Sequence, residues 1–447
     1  MEPIRIIINQ GVYYKNLPQK AKKKIIDDLS FDNPAYVNAK KYGKNISSLT
    51  MPTIPFFEAS KKTYWTPRGY IYFFIKFCKE NNYKYIIEDR TLSFPALRIK
   101  FYGILRDYQK PAVRDMLKYP VGVLEAPTGG GKTAMAIYLI AARKQPTLII
   151  VHNKELLYQW ENAIKTFLHY QCGMIGDGNK KIKKVTVGII NSVNNNMGTL
   201  YNQFGMVLID EVHRVSSSIF TETVQEFTAK YFYGFTATSY RSDGLGKGIF
   251  ACIGPKLYTV DRHHLNKIKA TLKPRILRIT TDFYTFYKGD YAETITELVR
   301  DTERNNLICT LAQRDFKKYN QSILIVSDRK EHCSTLQKNL LVHSLMLTSK
   351  TKKKERKEII RKMRSGECKV LISTTSLIGE GFDLDVLNAL FLTTPIKFSG
   401  RLIQICGRIL RPNKGAQPRV YDFRDMGIGV LRNSGFVRDL IYKKLKW

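Results

Sequence analysis

The stretch from Glu125 to Thr133, EAPTGGGKT, restricts the possible folds of this chain more than any other segment. It follows the apolar run VGVL and leads into AMAIYLIAARK, where a helix is predicted, so a buried strand should turn here into a helix. A glycine-rich turn at the start of a helix offers backbone N–H groups and partial positive charge to phosphate oxygens. A chance Gly-Lys-Thr in an ordinary glycine-rich turn is the alternative.

The spacing of this loop predicts a site for ATP with Mg²⁺. Lys132 is expected to reach the β- and γ-phosphates, and the Thr133 hydroxyl is expected to be a ligand of Mg²⁺. Ala126 stands where such loops usually begin with glycine. The residues expected around the phosphates are Pro127, Thr128, Gly129, Gly130, Gly131, Lys132 and Thr133.

A second apolar run, MVLI, ends in the acidic pair Asp210 and Glu211, followed by Val212 and His213. This pattern predicts a buried strand that delivers two carboxylates at its carboxyl end, where parallel sheets bind ligands. Asp210 is expected to hold Mg²⁺, and Glu211 to polarise the attacking water. Alone, the pattern also fits a strand followed by a solvated acidic turn. Joined to the upstream loop, it favours a nucleotide site.

The balance of charge points to a polyanionic partner. Lys and Arg number 73 against 38 acidic residues, a formal net charge of +35, and such an excess favours nucleic acid as the partner. No membrane partner is expected, because basic residues are spread along the chain and no apolar stretch approaches the ~18 residues that span a bilayer. The seven cysteines form no C-x-x-C pair, which favours an intracellular protein with reduced thiols and disfavours zinc.

Residues 1–100 carry no nucleotide motif and interleave basic with aromatic residues, as in KKTYWTPRGYIYFFIKFCKENNYKYIIEDR. That run predicts a helix from about Pro67 to Asn81 and a short strand from Tyr83 to Ile87. Basic and aromatic side chains together can follow phosphates and stack on bases. They can equally fill a small core under a lysine-rich surface. We interpret the segment as a small accessory DNA-binding domain.

Polar residues near the loop and at later strand ends are further candidates. LRDYQKPAVRDMLK is predicted as a helix in which the Gln109 amide pairs with an adenine edge, with Arg106 near the base. Strand-then-helix patterns after the loop predict a parallel α/β sheet. KKVTVGIINSV, for example, is predicted as a strand that ends in Asn191 and Ser192. The candidates at carboxyl ends of strands are His152, Asn153, Lys154, Asn191, Ser192, Thr236 and Thr238.

A second α/β unit is predicted from about Pro274. QSILIVS, KVLIS and ALFLTTP again resemble buried strands that end in polar clusters, but no second phosphate loop follows. Instead, QICGRILR is predicted as a helix on which Arg408 and Arg411 share a face. Arginine suits a transferring γ-phosphoryl group, so this unit is expected to complete the site of the first. A basic helix that only touches nucleic acid is the alternative.

The ordered series LRDYQ, APTGGGKT, HNKELLYQW, DEVH, TATSYR, STTSLIGEGFD and QICGRILR resembles the motifs of superfamily 2 helicases and translocases, over about residues 100–425. GFTATSYRSDG followed by IGPKLYTV is similar to the XPB-like branch, which includes phage UvsW-type branch-migration and poxvirus-type transcript-release helicases. Compact size and the basic N-terminal region most resemble the UvsW type. The resemblance implies an α/β fold with two RecA-like parallel-sheet domains in tandem, at 101–268 and 269–447, after a small α+β domain at 1–100.

The resemblance also assigns roles by position, beyond the ATP-site residues above. It implies coupling of hydrolysis to motion for His213, Thr236 and Thr238. It places Gly381 and Asp383 in a motif that contacts nucleotide and DNA. It implies catalysis by the arginine-finger helix for Gln404, Arg408 and Arg411. DNA contacts are implied for His152, Asn153, Lys154, Asn191, Ser192, Arg241, Thr374 and Thr375. Ser242 replaces the Glu of an Arg-Glu-Asp element after Arg241, so the DNA role of that element is not assumed.

These features predict an ATP-dependent DNA helicase or translocase. Plain unwinding must supply about 1.4 kcal/mol per base-pair step, whereas moving a junction is nearly balanced. Beyond the N-terminal region the chain has no insertion large enough for a strand-separating wedge, which favours branched or forked DNA as substrate. We expect a monomer acting in phage or viral DNA replication, recombination or repair. A transcript-release or RNA:DNA-unwinding ATPase and a nucleic-acid-binding protein with an inactive motor are the alternatives.

Overall fold

The computed structural model of the chain describes residues 2–41, 50–127, 129–212, 223–237, 246–261, 265, 272–287, 289–379, 384–396, 399–410 and 417–447. The chain divides into two compact units, Met1–Pro127 with Gly131–Val260, and Asp261–Trp447 with Thr128–Gly130. The division into residues 1–100, 101–268 and 269–447 stays a prediction. Among the described residues, no helix is both long and apolar enough to cross a membrane.

The first unit begins with a small α+β segment. Its strands are β1 (Ile4–Ile8), β2 (Gly11–Lys15), β3 (Ser30–Asp32), β4 (Thr53–Pro55), β5 (Glu58–Ala59), β6 (Tyr64–Pro67) and β7 (Tyr85–Asp89). Its helices are α1 (Gln19–Leu29), α2 (Pro34–Lys41) and α3 (Ile71–Glu80), the last preceded by a 3-10 turn at Arg68–Tyr70. We call the five-stranded sheet β5-β6-β2-β1-β7 the N-terminal sheet. Its strands are antiparallel except for the parallel pair β1 and β7.

Helix spacing explains how this segment folds. Ala21, Ile25 and Leu29 recur at intervals of one helical turn, so α1 places them on one face, where they are buried. The same core takes in Tyr14 of the sheet and Phe74 of α3, whose ring centroids lie 4.5 Å apart. The helix and the strand predicted after Pro67 are therefore found, with slightly different ends.

An eight-stranded sheet forms the rest of the first unit. Its strands are β8 (Val121–Glu125), β9 (Thr147–Val151), β10 (Gly173–Gly176), β11 (Asn179–Lys181), β12 (Val185–Ile189), β13 (Met206–Asp210), β14 (Tyr231–Thr236) and β15 (Lys256–Thr259). Their order is β11-β10-β12-β9-β13-β14-β8-β15, with β11 antiparallel to β10 and the other pairs parallel. The helices are α4 (Gln109–Leu117), α5 (Lys132–Arg143), α6 (Lys154–Leu168), α7 (Ile190–Asn194), α8 (Met197–Leu200) and α9 (Gly246–Ile253).

The second unit is built on a six-stranded sheet whose paired strands all run parallel. Its strands are β16 (Arg275–Thr281), β17 (Ser322–Ser327), β18 (Leu345–Leu347), β19 (Val370–Thr374), β20 (Leu387–Leu392) and β21 (Arg419–Asp425), in the order β16-β21-β20-β17-β19-β18. The helices are α10 (Tyr291–Arg300), α11 (Thr302–Tyr319), α12 (Lys330–Asn339), α13 (Lys353–Ser365), α14 (Thr375–Gly379), α15 (Ser399–Cys406) and α16 (Gly429–Lys444).

Both large sheets have the composition that a doubly covered parallel sheet requires. In β13, Met206 to Ile209 are fully buried without alternation, and the same holds for Ile323 to Val326 in β17. Such continuous apolar runs arise because helices cover both faces of the sheet. The predicted fold class, α/β with parallel sheets preceded by a small α+β segment, is confirmed.

Candidate nucleotide site in the first unit

The loop between β8 and α5 has the backbone of a phosphate-binding turn. Gly129 and Gly131 have φ angles of 82° and 76°, in the left-handed region, and Gly131 is the residue that precedes the first turn of α5. Glycine adopts this conformation without steric cost. A side chain at Gly131 would also collide with the amide nitrogen of Gln109, since an added Cβ would lie 2.1 Å from that atom. Both φ and space therefore require glycine here.

Lys132 and Thr133 open α5, directly after this turn. The Lys132 ammonium donates to the carbonyl oxygen of Ala126 at 3.2 Å and lies 3.8 Å from Oε1 of Glu211. The lysine side chain is only 12 % exposed. Its positive charge is therefore largely shielded from solvent and acts on groups beside the loop. Thr133 is half-buried at the same helix end. The positions are those expected for a phosphate-binding lysine and a hydroxyl ligand.

Asp210 ends β13 and is held by two donors. Its Oδ2 accepts a hydrogen bond of 2.9 Å from the indole Nε1 of Trp160, and its Oδ1 accepts the backbone N–H of Glu211 at 3.0 Å. Burial, reinforced by the adjacent charge of Glu211, raises the pKa of Asp210 to about 6, while Lys132 acts in the opposite direction. A cation in front of Asp210 would relieve this cost of ionisation.

Glu211 adopts a left-handed backbone with φ of 54°. This conformation costs a non-glycine residue on the order of 1–2 kcal/mol, and such local strain is concentrated at functional sites. The turn brings the Glu211 carboxylate to the lysine of the loop rather than continuing the strand. Two neighbouring carboxylates, one lysine and a glycine turn thus meet at one edge of the sheet.

These residues fit a magnesium nucleotide. The glycine turn and the start of α5 present N–H groups suited to phosphate oxygens, and Lys132 adds a mobile positive charge. Mg²⁺ keeps several water ligands and takes one or two protein oxygens together with substrate phosphates. Asp210 and Thr133 supply oxygens of that kind, and the raised pKa of Asp210 indicates a carboxylate whose charge is incompletely balanced by the protein.

Gln109 lies beside the loop, as the sequence predicts, but its amide makes a hydrogen bond within the protein. Its Oε1 accepts the backbone N–H of Arg106 at 2.9 Å, and its side chain is 4 % exposed. The Arg106 guanidinium lies 3.5 Å from the Tyr108 hydroxyl. Gln109 therefore supports the turn through its contact with Gly131, and its contact with adenine stays a prediction, as does that of Arg106.

The candidates at the ends of β9 and β14 lie at the same edge. Asn153 caps α6, because its Oδ1 accepts the backbone N–H of Leu156 at 2.9 Å. Its Nδ2 also lies 3.3 Å from Nε2 of His152, while Lys154 is exposed at the first position of the helix. Thr236 ends β14 fully buried, next to Glu125 of β8. The cap role of Asn153 is structural, and the DNA contacts of these residues stay predictions.

Asn191 and Ser192 do not end a strand, contrary to the sequence interpretation. Strand β12 stops at Ile189, and both residues lie in the short helix α7. Ile190 and Val193 of this helix are buried, so the chain forms a helix that covers the sheet instead of continuing strand β12. Asn191 is exposed and Ser192 half-buried, so surface remains for a phosphate contact at the former.

The second-unit candidates differ from expectation in two ways. Thr374 and Thr375 are 5 % and 1 % exposed, and the Thr375 hydroxyl donates to Asp328. A DNA contact would require these side chains to be uncovered.

Helix α15 ends at Cys406, so Arg408 lies in the turn after it, where its Nε donates to the Ile378 carbonyl at 3.2 Å. The predicted single helix face for the two arginines is therefore wrong at Arg408.

Gln404 lies within α15 and is 6 % exposed. Gly407 follows the last helical residue and explains the early end, because glycine is a poor helix former. Pro127 and Gly130, two further loop candidates, are buried. The remaining candidates lie outside the described residues: Thr128, His213, Thr238, Arg241, Gly381, Asp383 and Arg411.

Trp160 is a site residue that sequence reasoning missed. It is 1 % exposed on α6, and it reaches Asp210 from 50 positions away in the chain. The apolar spacing of α6 marks Trp160 as a core residue and gives no sign that its indole N–H is used. Only the packing of α6 on the sheet brings this donor to the acidic strand end.

Two families of known proteins match this chain. Residues 103–241 match the family "Type III restriction enzyme, res subunit", and residues 303–413 match "Helicase conserved C-terminal domain". The DNA 3'-5' translocase XPB2 of Sulfurisphaera tokodaii is 27% identical over 361 residues, which cover 72% of this chain and 81% of the relative. The transcript termination protein A18 of Yaba monkey tumor virus is 25% identical over 318 residues, 66% of each chain.

The fold is also found in a solved structure. S. cerevisiae Dbp5 bound to RNA and ADP BeF3 aligns with a TM-score of 0.54 and 16% identity, covering 77% of this chain and 88% of that one. The two matched families together span more than half of the 447 residues, in the order in which the motifs occur. With its loop lysine and acidic strand end in one site, this chain belongs to the superfamily 2 helicases, which are nucleic-acid-dependent ATPases.

Proposed function

We propose that this chain is an ATP-dependent DNA translocase that remodels forks and junctions during viral or phage DNA replication, recombination or repair. The observation that carries the proposal is the meeting of Lys132, Asp210 and Glu211 beside the left-handed glycines of the loop. The formal charge of +35 supports a nucleic acid as the partner. The name of the archaeal relative, a DNA translocase, supports DNA as the polymer.

The chemistry follows from the placement of these side chains. Lys132 draws the β- and γ-phosphates to the start of α5, and Asp210 with Thr133 would hold Mg²⁺. Bound Mg²⁺ supplies charge neutralisation at the phosphate oxygens. Glu211 orients the attacking water from its left-handed turn, and Trp160 keeps the Asp210 carboxylate in one orientation. Arg408 and Gln404 are proposed to act on the nucleotide from the second unit.

A fixed accessory segment supports branched DNA as the substrate. The buried Arg68 joins the N-terminal segment to the large sheet of the same unit, donating to the Ala229 carbonyl at 2.6 Å and stacking 4.9 Å from the Phe232 ring centroid. Gly69 packs so closely on α9 that an added Cβ would lie 2.5 Å from the carbonyl oxygen of Phe250. A segment held this firmly can present one DNA arm to the motor in a defined orientation.

The energetics agree with that substrate. Migration of a junction exchanges one duplex for another, which is nearly balanced in free energy. A motor of this kind needs grip and direction more than force. Grip through phosphates makes binding weakly sequence-specific and strongly dependent on salt. We further propose that the protein acts as a monomer inside the cell.

ATP hydrolysis by the purified full chain tests the proposal. Phosphate release is measured at fixed moderate salt without nucleic acid and with single-stranded DNA, linear duplex, a fork, a four-way junction, single-stranded RNA and an RNA:DNA hybrid. We expect the largest stimulation with the fork and the junction, together with ATP-dependent migration of a labelled junction. Equal stimulation by every duplex, without junction migration, would contradict the branched-DNA proposal.

A transcript-release ATPase is the second candidate, because the poxvirus relative is named a transcript termination protein. The two functions share the same motor residues, so the site does not distinguish them. The same assay does: preferential stimulation by the RNA:DNA hybrid, with displacement of the RNA strand, would favour transcript release. The absence of any ATP hydrolysis would favour a nucleic-acid-binding protein with an inactive motor.

A further inference from the structure

The N-terminal sheet has two unlike faces. One face carries Ile4, Ile6 and Tyr14, which are buried under α1 and α3. Successive side chains of a strand point to opposite faces. The other face therefore carries the alternate residues of the same strands, and we call it the open face. Besides two acidic residues described below, it carries Arg5, Ile7, Tyr13, Lys15, Trp65 and Ile86.

Strand register places two aromatic rings side by side on the open face. Tyr13 of β2 pairs directly with Trp65 of β6, and on its other side it pairs with Ile7 of β1. Neighbouring strands lie about 4.8 Å apart, so the three side chains form a continuous apolar row. Tyr13 and Trp65 are half-buried. The row is therefore part of the accessible surface and not of a core.

Gly11 explains how the indole of Trp65 is held. A Cβ added at Gly11 would lie 2.1 Å from Nε1 and 2.5 Å from Cε2 of Trp65. The indole thus lies directly over the glycine, in space that any other residue would fill. A ring fixed in this way loses little conformational freedom when a flat ligand stacks on it.

Positive charge borders the aromatic row. Arg5 and Lys15, both exposed, pair with each other across β1 and β2 in the adjacent row. Lys61, Lys62 and Lys84 are also exposed and lie just outside the same strands.

The acidic residues of the open face are Glu58, opposite Trp65, and Glu88, opposite Ile7. The charge of Glu88 is matched by Arg90, at 2.7 Å. A row of rings beside a row of cations suits a ligand with flat faces and negative charges.

We propose that the open face binds a single-stranded segment of nucleic acid, with bases stacked on Tyr13 and Trp65 and phosphates near Arg5 and Lys15. Single-strand-binding surfaces combine aromatic platforms with basic grooves in this way. A duplex hides the faces of its bases, so only unpaired bases can stack. The inference deepens the proposed function, because forks and junctions under remodelling expose unpaired strands, and it rests on that function for its biological role.

Fluorescence of Trp65 tests the contact directly. A single-stranded oligothymidylate should quench part of the tryptophan emission of the full chain, without ATP. The Trp65→Phe variant should bind the oligonucleotide with similar affinity but lose this quenching, since phenylalanine still stacks. Trp160 is 1 % exposed, so we expect the oligonucleotide not to quench its emission. Binding without a Trp65-dependent signal would overturn the proposal.

Affinity measurements supply the second arm. Trp65→Ala should weaken oligothymidylate binding about tenfold, which corresponds to about 1.4 kcal/mol and lies in the range for stacking on one aromatic ring. Phe73→Ala is the matched control, because Phe73 is 41 % exposed on α3, a helix that packs against the other face. Equal affinities of these two variants would contradict the proposal.

A charge variant keeps the test independent of folding. Arg5→Glu combined with Lys15→Glu changes only exposed side chains and should lower the slope of log affinity against log salt by about 1.4, or about 0.7 per lost phosphate contact. Lys23→Glu, an exposed lysine of α1, should leave the slope almost unchanged. An unchanged slope in the double variant would overturn the phosphate contacts and leave the face open to a protein partner.

The outcome is separable from that of the proposed function. Fork-stimulated ATP hydrolysis without a signal from Trp65 would refute only the open-face inference. Quenching of Trp65 without fork-stimulated hydrolysis would refute only the motor proposal. Basal ATP hydrolysis should be the same in all these variants, because none of them changes the nucleotide site.

Discussion

The two large sheets of this protein differ in the partners of their buried carboxylates. In the first unit, the end of β13 gathers Asp210 and Glu211 around Lys132, and burial raises the pKa of Asp210 to about 6. In the second unit, the buried aspartates have arginine partners of their own. Ionisation of Asp210 therefore carries a free-energy cost that a bound cation would offset, whereas each buried aspartate of the second unit already has a guanidinium beside it.

The ion pairs of the second unit show what a structural charge looks like. Asp425 accepts a hydrogen bond of 2.7 Å from Nε of Arg304 and one of 2.6 Å from the Thr281 hydroxyl. The side chains of Asp425 and Arg304 are each 1 % exposed. Asp422 is bound by Arg438 at 2.8 Å in the same manner. Each carboxylate there is matched by a guanidinium and a hydroxyl or second donor. At the end of β13, by contrast, Asp210 has two N–H donors and Glu211 lies 3.8 Å from Lys132, but burial and the adjacent carboxylate still raise the pKa of Asp210. We therefore expect a ligand cation there.

Breaking a completed pair should have the largest effect on stability. Asp425→Asn leaves the Arg304 charge buried and should lower the free energy of unfolding of the second unit by about 3–5 kcal/mol. Chemical denaturation followed by circular dichroism measures this loss. Glu367→Gln, which breaks an exposed pair with Arg361, is the control and should cost only a small fraction of that loss. Similar losses for both would show that burial does not set the value of these pairs.

Glu211→Gln should separate chemistry from binding in the first unit. The amide keeps the shape of the side chain but cannot polarise water, so steady-state phosphate release should fall about 100- to 1,000-fold, the usual scale for one catalytic electrostatic contact. Nucleotide and DNA binding should survive. Asp115→Asn, a half-buried acid of α4 paired with Lys118, is the matched control. Turnover close to the wild type in Glu211→Gln would remove this residue from the reaction.

Trp160→Phe should show that Asp210 depends on one distant donor. The substitution keeps an aromatic ring in the core but removes the hydrogen bond to Oδ2. Loss of such outer partners typically weakens metal sites 10- to 100-fold, so the Mg²⁺ concentration for half-maximal ATP hydrolysis should rise about tenfold, with a smaller change in kcat. Trp65→Phe makes the same chemical change in the N-terminal sheet and should leave the Mg²⁺ dependence unaltered.

The raised pKa of Asp210 predicts the smallest of these effects, a change in stability with pH. A carboxyl whose pKa is raised on folding contributes stability below its unfolded pKa, and this contribution is lost as pH rises through about 6. Asp210→Asn removes that loss. We therefore compare the free energies of unfolding of Asp210→Asn and the wild type, both in EDTA. The variant should gain about 1 kcal/mol relative to the wild type between pH 5 and pH 7. Denaturation followed by the fluorescence of Trp65 and Trp160 in a Trp447→Phe background reports the first unit; a constant difference across this range would contradict the raised pKa.

Local sequence signals predicted the framework of the site well. The change from an apolar run to helical spacing around the glycines predicted a strand ending at about Leu124 and a helix over AMAIYLIAARK, and the structure has β8 ending at Glu125 and α5 beginning at Lys132. The acidic end of β13 was predicted in the same way. These features depend on neighbouring residues, which is why a sequence reveals them.

Features that depend on tertiary packing were not predictable. The pairing of Trp160 with Asp210 and the left-handed turn at Glu211 arise from contacts between distant segments. The sequence interpretation extended β12 through Asn191, where burial of Ile190 and Val193 forms a helix instead. It also extended a helix past Gly407 to Arg408, although the helix ends one residue before that glycine. Apolar residues near an element's end fit a strand or a helix equally well.

Equilibrium binding of a non-hydrolysable ATP analogue tests the central claim most directly, namely that the end of β13 and the loop before α5 form a magnesium nucleotide site. The wild type should bind one nucleotide per chain, and binding should be lost in EDTA and in Lys132→Ala but kept in Lys118→Ala, an exposed lysine of the same unit. Undiminished, Mg²⁺-dependent binding by Lys132→Ala would contradict the account and move the nucleotide elsewhere in the chain.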